Sequence, residues 1–188
     1  RYGEKPDDPG RASGKFNTGP ELEFFLFKKA HGALKPLPHD MAGYFDLTTD
    51  EAQVVRRDMT VALKKFGITI EALHHEVSEG QHEIDLHYDN ALKTADNGMT
   101  LRFVVKAVAQ QHALHATFMP KPITGIDGSG MHVHQSLFDK RNDKNVFFDE
   151  TGKYQLSDLA LQFIAGQLHH VRALSAILSP TVNSYKRL

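Results

Sequence analysis

Two histidines stand one residue apart in the segment GSGMHVHQSLF, residues 128–138. Successive side chains of a strand point to opposite faces, so His132, His134 and Ser136 share one face, opposite a mostly apolar set. Such a face can bind a metal ion or a phosphate, and the glycines before it let the backbone approach one closely. A half-buried strand with a polar outer face would show the same alternation. The segment by itself leaves both interpretations open.

Two glutamates in the segment PELEFFLFKK, residues 20–29, follow the same two-residue period. The segment is rich in aromatic residues and is predicted to be a strand, which places Glu21 and Glu23 on one face. Glutamates at alternate strand positions are usually only solvated by water. The pair therefore indicates chemistry only if other ligands lie near it.

A third group of ionisable side chains lies in ITIEALHHEVSEGQHEIDLHY, residues 68–88, which is predicted to form a hairpin. With Glu79 and Gly80 as a two-residue turn, Glu76 faces Glu83 across the strands. Directly opposed like charges destabilise a sheet unless water screens them or a cation lies between them. A register shifted by one residue would instead place the two glutamates on opposite faces.

These candidates form an oxygen-rich ligand set with one imidazole: Glu21, Glu23, Glu76, Glu83 and His132. Hard cations such as Mg²⁺ or Mn²⁺ prefer oxygen ligands, whereas zinc favours nitrogen and sulfur. Bound divalent ions commonly clamp phosphates and polarise reacting oxygens. The spacing therefore predicts a divalent-metal enzyme that works on phosphate or carboxylate chemistry.

The composition narrows the class of protein further. The 188 residues carry 22 Lys and Arg against 23 Asp and Glu, so no basic excess points to nucleic acid. No apolar run approaches the length needed to span a membrane, and no signal-peptide pattern is present. The chain has no cysteine, which removes thiolate metal sites and disulfides and fits a reducing cytoplasm.

The elements that must position these residues are strands and hairpins interspersed with three helices, so the fold class is α+β. Residues 1–18 are rich in Gly, Pro and Asp and are predicted to be a loop leader. The predicted helices lie within residues 47–68, from Thr94 or Asp96 to about residue 113, and from a cap at Ser157 to Pro180 or shortly before it. A strand that leads into a proline-marked loop is predicted in LHATFMPKPITG, residues 114–125, and a short strand is predicted at NVFF, residues 145–148.

Several motifs occur in the same order as in bacterial-type glutamine synthetase: GPELEFFLF, HHEVSEGQHEID, TADN, HATFMPKP, GSGMHVHQSLF and PTVNSYKRL. The resemblance runs from about residue 18 to the end. It implies an antiparallel β-sheet catalytic domain of the glutamine synthetase/guanido kinase type with flanking helices, covered in part by residues 19–188. It also implies ATP-dependent ligation of ammonia to glutamate, through γ-glutamyl phosphate, with Mg²⁺ or Mn²⁺ as cofactor.

The resemblance also implies roles for individual residues. Glu23, Glu76 and Glu83 would hold one metal ion, and Glu21 and His132 the second. Arg187 would bind a substrate carboxylate and is the catalytic residue expected within this span, while Asp127 and Gly128 would contact the amino acid. Four residues would contact ATP: Glu71, Tyr88, His134 and Ser136. Because Glu71 and Glu76 have opposite parity on the strand, a bulge, a twist or a different strand start is expected between them.

Departures from the family pattern define the alternatives. Position 127 is Asp where the family usually has Asn, which removes an amide donor and adds negative charge near the substrate. This change favours a γ-glutamyl ligase for a polyamine or another amine as one alternative, and a non-catalytic relative is the other. The resemblance also implies a homo-oligomer, a dodecamer with active sites between neighbouring subunits. The family's N-terminal β-grasp domain and C-terminal segment have no counterpart in these 188 residues. We therefore expect this chain to be an incomplete fragment, inactive on its own.

Overall fold

One long strand organises the sheet, and most other strands pair with it. The computed structural model describes residues 14–30, 32–37 and 52–187. Its strands are β1 (Gly14–Ala30), β2 (Ala33–Pro36), β3 (Ile70–His75), β4 (Gln81–Leu86), β5 (Asp89–Asn90), β6 (Leu114–Thr117), β7 (Met131–Asp139) and β8 (Lys144–Asn145). Its α-helices are α1 (Gln53–Lys65), α2 (Ala91–Gln111) and α3 (Asp158–Leu178), with short 3-10 turns at Lys153–Gln155 and Ser184–Lys186.

The sheet is antiparallel throughout, and its main path runs β3-β4-β1-β7-β8. One edge of β1 pairs with β5, β4 and β2, and the other edge pairs with β7 and β6. The 17 residues of β1 are long enough to serve several short partners in succession on each edge. The predicted α+β class with an antiparallel sheet and flanking helices is confirmed.

The core lies between one face of this sheet and two of the helices. Leu22, Phe24 and Leu26 alternate along β1 and are buried, as is Ile84 of β4. They pack with apolar residues of α1 and α2, namely Val55, Met59, Leu63, Leu101, Val104, Val105 and Val108. Because α1 and α2 cover this face, the opposite face, which carries Glu21 and Glu23, is free for polar chemistry.

Element ends differ from the sequence predictions in several places. The strand β1 begins at Gly14, so residues 14–18 of the predicted leader are strand, and residues 1–13 lie outside the described part. The helix α2 begins earlier than predicted, because Asn90 is its N-cap and accepts a hydrogen bond from the N–H of Leu92 at 3.1 Å. The hydroxyl of Thr94 instead donates to the carbonyl of Thr18. The predicted Ser157 cap of α3 is confirmed.

The hairpin register is a second correction. His74 faces Glu83 and His75 faces His82, so the predicted pairing of Glu76 with Glu83 is wrong. The loop holds four residues, 77–80, because the N–H of Glu76 donates to the carbonyl of Gln81 at 2.8 Å and closes the hairpin at that pair. The shift amounts to two residues, which preserves parity, so Glu76 and Glu83 remain on the same face.

The bulge expected in this strand is present. Ile70 pairs with Leu86 and Ala72 with Asp85, so Glu71 is an extra residue that has no partner in the ladder. A bulge re-aims the side chain at that position. The parity conflict between Glu71 and the later residues of β3 is thereby removed.

Candidate metal and amino acid site

The open face of the sheet carries two rows of ionisable side chains. In the first row, Glu23 of β1 lies opposite Glu83 of β4, which in turn lies opposite His74 of β3. In the second row, Glu21 lies between Asp85 of β4 and His132 of β7. Cross-strand partners on one face have Cβ atoms about 4.5–5.5 Å apart, so neighbouring side chains within a row lie close enough to share an ion.

Glu21 binds both histidines of β7. The Nδ1 of His132 donates to one carboxylate oxygen at 3.0 Å, and the Nε2 of His134 donates to the other at 2.5 Å. The hydrogen bond from His134, followed by that from His132, lowers the pKa of Glu21. Each imidazole keeps one further ring nitrogen, as a metal-binding histidine needs.

A denser carboxylate cluster lies beside this group. Glu23, Glu76 and Glu83 are all buried, with Glu83 only 8% exposed. Burial and the charge of Asp85, together with a hydrogen bond to it and the charges of Glu76 and Glu23, raise the pKa of Glu83 to about 8. Carboxyl groups gathered this closely need a proton or a cation to offset their repulsion. The donor set is carboxylate with imidazole, which fits Mg²⁺ or Mn²⁺.

Two neighbours of this cluster, His74 and Asp85, lie outside the predicted set of metal ligands. Asp85 shares a hydrogen bond with Glu83, and its Oδ2 lies 3.3 Å from the Nε2 of His74. Ligand atoms of His74, Glu83 and Asp85 all lie within 4.8 Å of one another. The segment QHEIDL holds the signal that could have found Asp85, because Gln81, Glu83 and Asp85 alternate at period two.

A cavity of about 390 Å³ adjoins the carboxylates and is lined by residues of both charges. Its lining comprises Glu23, Glu76, Val77, Gln81, Lys121, Asp127, Gly128 and Arg187. Arg187 lies against the loop that contains Gly128 and Gly130, since a Cβ on Gly130 would lie 3.2 Å from the Nη2 of Arg187. Cations and carboxylates around one cavity match a zwitterionic amino acid. The structure thus brings Asp127, Gly128 and Arg187 together beside the predicted metal ligands.

Asn183 holds the two chain segments of this cavity together. Its amide donates to the carbonyl of Lys121 at 2.9 Å and accepts from the N–H of Lys121 at 2.7 Å. The ammonium of Lys121 donates to the carbonyl of Ile126. Neither Lys121 nor Asn183 was predicted, because their partners lie 62 residues apart in sequence, which no local pattern reveals.

The four predicted nucleotide contacts are less closely grouped. Ser136 lies on the same face as His134, opposite Asn17 of β1. Tyr88 lies against Gly19, the residue that pairs with His134, and stacks on His87 with ring centroids 4.6 Å apart. Glu71 is exposed at its bulge, and the contacts described for this part of the chain do not connect it to the histidines.

Comparisons with known proteins identify the family of this chain. The sequence profile of the glutamine synthetase catalytic domain matches residues 8–188. The chain is 57% identical to glutamine synthetase of Clostridium saccharobutylicum over 174 residues, which is 92% of this chain and 39% of that protein. It is 55% identical to glutamine synthetase of Thermus thermophilus over 173 residues, covering 91% of this chain and 38% of that protein.

Solved structures show the same fold. Glutamine synthetase of Plasmodium falciparum matches with a TM-score of 0.82 and 31% identity, over 93% of this chain and 40% of that one. The apo structure of GmaS matches with a TM-score of 0.83 and 34% identity, over 93% of this chain and 41% of that one. No helix in the described residues is long and apolar enough to cross a membrane. The chain spans about two-fifths of these relatives and belongs to the glutamine synthetase family, within its catalytic domain.

Proposed function

We propose that the complete protein containing this chain is a glutamate–ammonia ligase that forms glutamine through γ-glutamyl phosphate, with ATP as phosphoryl donor. One observation carries the proposal: a carboxylate and imidazole face meets a cavity of about 390 Å³ whose lining includes Asp127 and Arg187. Membership of the glutamine synthetase family supports the reaction class. A metal face beside an amino acid cavity suits transfer of a phosphoryl group to a side-chain carboxylate.

We infer two cation positions for Mg²⁺ or Mn²⁺. Glu23, Glu76 and Glu83 would hold one ion, and Glu21 and His132 the other. Glu23 pairs with Glu83 in the first row, and Glu21 pairs with His132 in the second. When bound, such ions neutralise phosphate charge and polarise reacting oxygens. The carboxylates and imidazole of this chain would orient the ions, and each ligand atom must be free of a proton for an ion to bind.

ATP is proposed to bind along β7, next to the second cation position. His134 and Ser136 lie on the ligand face of that strand and would contact the nucleotide, with Tyr88 and Glu71 at its margin. A solved structure of a relative, 35% identical to this chain, is titled a GmaS/ADP complex and supports nucleotide binding by this fold. The position of His134 beside Glu21 would keep the phosphates close to both cations.

The amino acid is proposed to lie in the cavity beside Glu23. The guanidinium of Arg187 would bind a carboxylate of glutamate, since a planar fork of donors matches a carboxylate. Gly128 and Asp127 would contact the substrate backbone from the facing loop. Arg187 would then bind one carboxylate of glutamate, and the other carboxylate, which reacts, would face the metal ligands.

The cellular location and the oligomeric state of the complete protein are also part of the proposal. A cytoplasmic location fits the absence of cysteine from the 188 residues. A homo-oligomer, as in the family, is supported by exposed apolar side chains on α3, where Leu168 and Val171 are more than half exposed. Exposed apolar area of this kind marks contacts with further protein.

The test is to express the complete reading frame and assay ATP-dependent product formation with glutamate and a panel of nitrogen donors. We expect ammonia to be used faster than methylamine, putrescine or spermidine, and activity to depend on Mg²⁺ or Mn²⁺. An Arg187→Lys variant should raise the KM for glutamate at least about 10-fold, because Lys cannot form the bidentate pair. Faster reaction with any organic amine than with ammonia would overturn the proposal.

A further inference from the structure

Gln81 is a buried amide at the junction of the metal ligands and the substrate loop. It is the first residue of β4, is only 2% exposed, and lies on the same face as Glu83. Its partner in β1 is Phe25, next to the predicted ligand pair, and it also lines the amino acid cavity. Buried side-chain donors are usually paired, so the partners of its Nε2 indicate its task, whereas its buried Oε1 has no hydrogen-bond partner within the described residues.

Both hydrogens of the Gln81 amide have acceptors, and these belong to the two halves of the site. The Nε2 donates to Glu23 Oε2 at 2.7 Å and to the carbonyl of Gly128 at 3.3 Å. Because both partners only accept, the orientation of the amide is determined. Gln81 therefore connects a proposed metal ligand to the loop that carries the proposed amino acid contacts.

The loop that contains Gly128 also donates a hydrogen bond to Glu23, at the Oε2 atom that accepts from Gln81. The N–H of Gly130 donates to Glu23 Oε2 at 2.9 Å, so this oxygen accepts two hydrogen bonds. A Cβ at Gly130 would lie 2.8 Å from the other oxygen, Oε1, so only glycine permits the approach. The two donors fix the carboxylate and leave Oε1 to face a ligand.

Ser78 is a separate attachment between the same hairpin and the same loop. Its buried hydroxyl accepts a hydrogen bond from the N–H of Asp127 at 3.0 Å. This contact holds the loop, but it does not touch Glu23. Ser78 thus offers a comparison in which loop anchoring is lost while the support of the metal ligand is kept.

We infer that Gln81 is a positioning residue that couples divalent-cation binding to amino acid binding, by orienting Glu23 and Gly128 through one amide. The inference rests on the proposed function for the identity of the two ligands. Coupling of this kind is reciprocal, so occupancy of either position should strengthen binding at the other. Loss of the amide should weaken both and remove their mutual dependence.

The first test uses the complete protein without metal, so that it does not depend on activity. Hydrogen exchange is compared in wild type, Gln81→Met and the control Gln110→Met, which makes the same change at an exposed position of α2. We expect faster exchange in peptides covering residues 126–130 only in Gln81→Met. Unchanged exchange there would overturn the inference, whatever the outcome of the activity assays.

The second test separates positioning from general loosening. In Gln81→Met, we expect Mn²⁺ affinity to fall about 10- to 100-fold and the KM for L-glutamate to rise about 10-fold, with the KM for ATP within twofold of wild type. In Ser78→Ala, only the glutamate KM should rise. Equal loss of Mn²⁺ affinity in both variants, or unchanged affinity and KM in Gln81→Met, would overturn the inference.

A third variant, Gln81→Asn, keeps the inference testable if Gln81→Met does not fold. Gln81→Asn keeps the amide but is one methylene shorter, so it cannot reach both acceptors and should reproduce the paired loss. Wild type and variant are compared for unfolding by urea first. If the wild type itself binds neither Mn²⁺ nor L-glutamate, the proposed function fails. If the wild type binds both and Gln81→Asn binds them equally well, only the positioning role of Gln81 is overturned.

Discussion

The two faces of β1 contrast sharply although they are built from alternating residues of one strand. Leu22 and Phe24 face α1 and α2 and are buried in apolar surroundings. Glu21 and Glu23, alternating with them, face carboxylates and imidazoles of β4 and β7. One face therefore gains free energy from excluding water, while the other gathers charges that repel one another.

This difference shows where stability and function are located in the sheet. The helix-covered face stabilises the fold whether or not a ligand is bound. The open face costs stability in the absence of a cation, because burial and neighbouring carboxylates raise the pKa of Glu83 to about 8. Removal of a carboxylate that repels Glu83 should therefore not destabilise the metal-free protein, whereas truncation of a buried side chain on the covered face should.

The largest expected effect is on the covered face. Phe24 is fully buried and lies 5.5 Å from the ring of Phe118, so Phe24→Ala should lower the free energy of unfolding by about 3–5 kcal/mol. Val133→Ala is the control, since Val133 lies in β7 and is 38% exposed, and should cost less than about 1 kcal/mol. Urea unfolding measures both, and similar losses would contradict the assignment of the core.

The next effect is on the open face and concerns ligand affinity. Glu76→Ala should lower Mn²⁺ affinity at least about 10-fold, measured by calorimetry, because it removes a proposed ligand. The same change should leave the metal-free protein at least as stable, since the charge of Glu76 raises the pKa of Glu83. Glu79→Ala, at an exposed position of the same turn, is the control and should change neither quantity. Unaltered Mn²⁺ affinity in Glu76→Ala would remove this residue from the proposed site.

The pH dependence of stability should follow from Glu83. Its pKa is about 8 in the folded protein against an ordinary value of 4.5, so between these values the folded state binds more protons than the unfolded state. Stability of the metal-free protein should then fall as pH rises through this window, with Glu83→Gln reducing the slope. Thermal unfolding between pH 5 and pH 9 measures this, and a slope equal in wild type and variant would show that Glu83 is not responsible.

The smallest expected effect is that of Glu21 on stability. Hydrogen bonds from His134 and His132 lower its pKa, so its contribution is present above its ordinary value of 4.5 and is lost as pH falls through the folded pKa. The two histidine side chains are 73% and 69% exposed, so solvent screens the pairs. Glu21→Gln should cost the metal-free protein less than about 1 kcal/mol in urea unfolding at pH 7. A loss larger than that of Phe24→Ala would reverse the proposed division between the faces.

Much of the candidate site could be predicted from local pattern. The two-residue period of a strand places Glu21 with Glu23 and His132 with His134, and the structure confirms both groupings. The cap of α3 at Ser157 was predictable for the same reason, since a hydroxyl three residues before an N–H is a local arrangement. Which of these residues bind metal, nucleotide or substrate stays a prediction.

The errors lie at turns and at the ends of elements, where several local and long-range hydrogen bonds compete. The hairpin register was wrong because hydrogen bonding within residues 76–81 favours a four-residue loop over the expected two-residue turn. The start of α2 was wrong because Asn90 caps the helix, while Thr94 is occupied by the carbonyl of Thr18. The start of β1 was wrong because pairing with β7 extends it to Gly14.

The sequence by itself determined which side chains share a face, because the alternation of a strand depends only on backbone sterics within a few residues. The tertiary structure decided which faces meet, and with them the contacts of Glu23 with Gln81 and Gly130 and of Lys121 with Asn183. These contacts join residues 58, 107 and 62 positions apart, and their geometry depends on sheet register and loop closure. Local pattern determines orientation, whereas long-range packing determines proximity, and the site needs both.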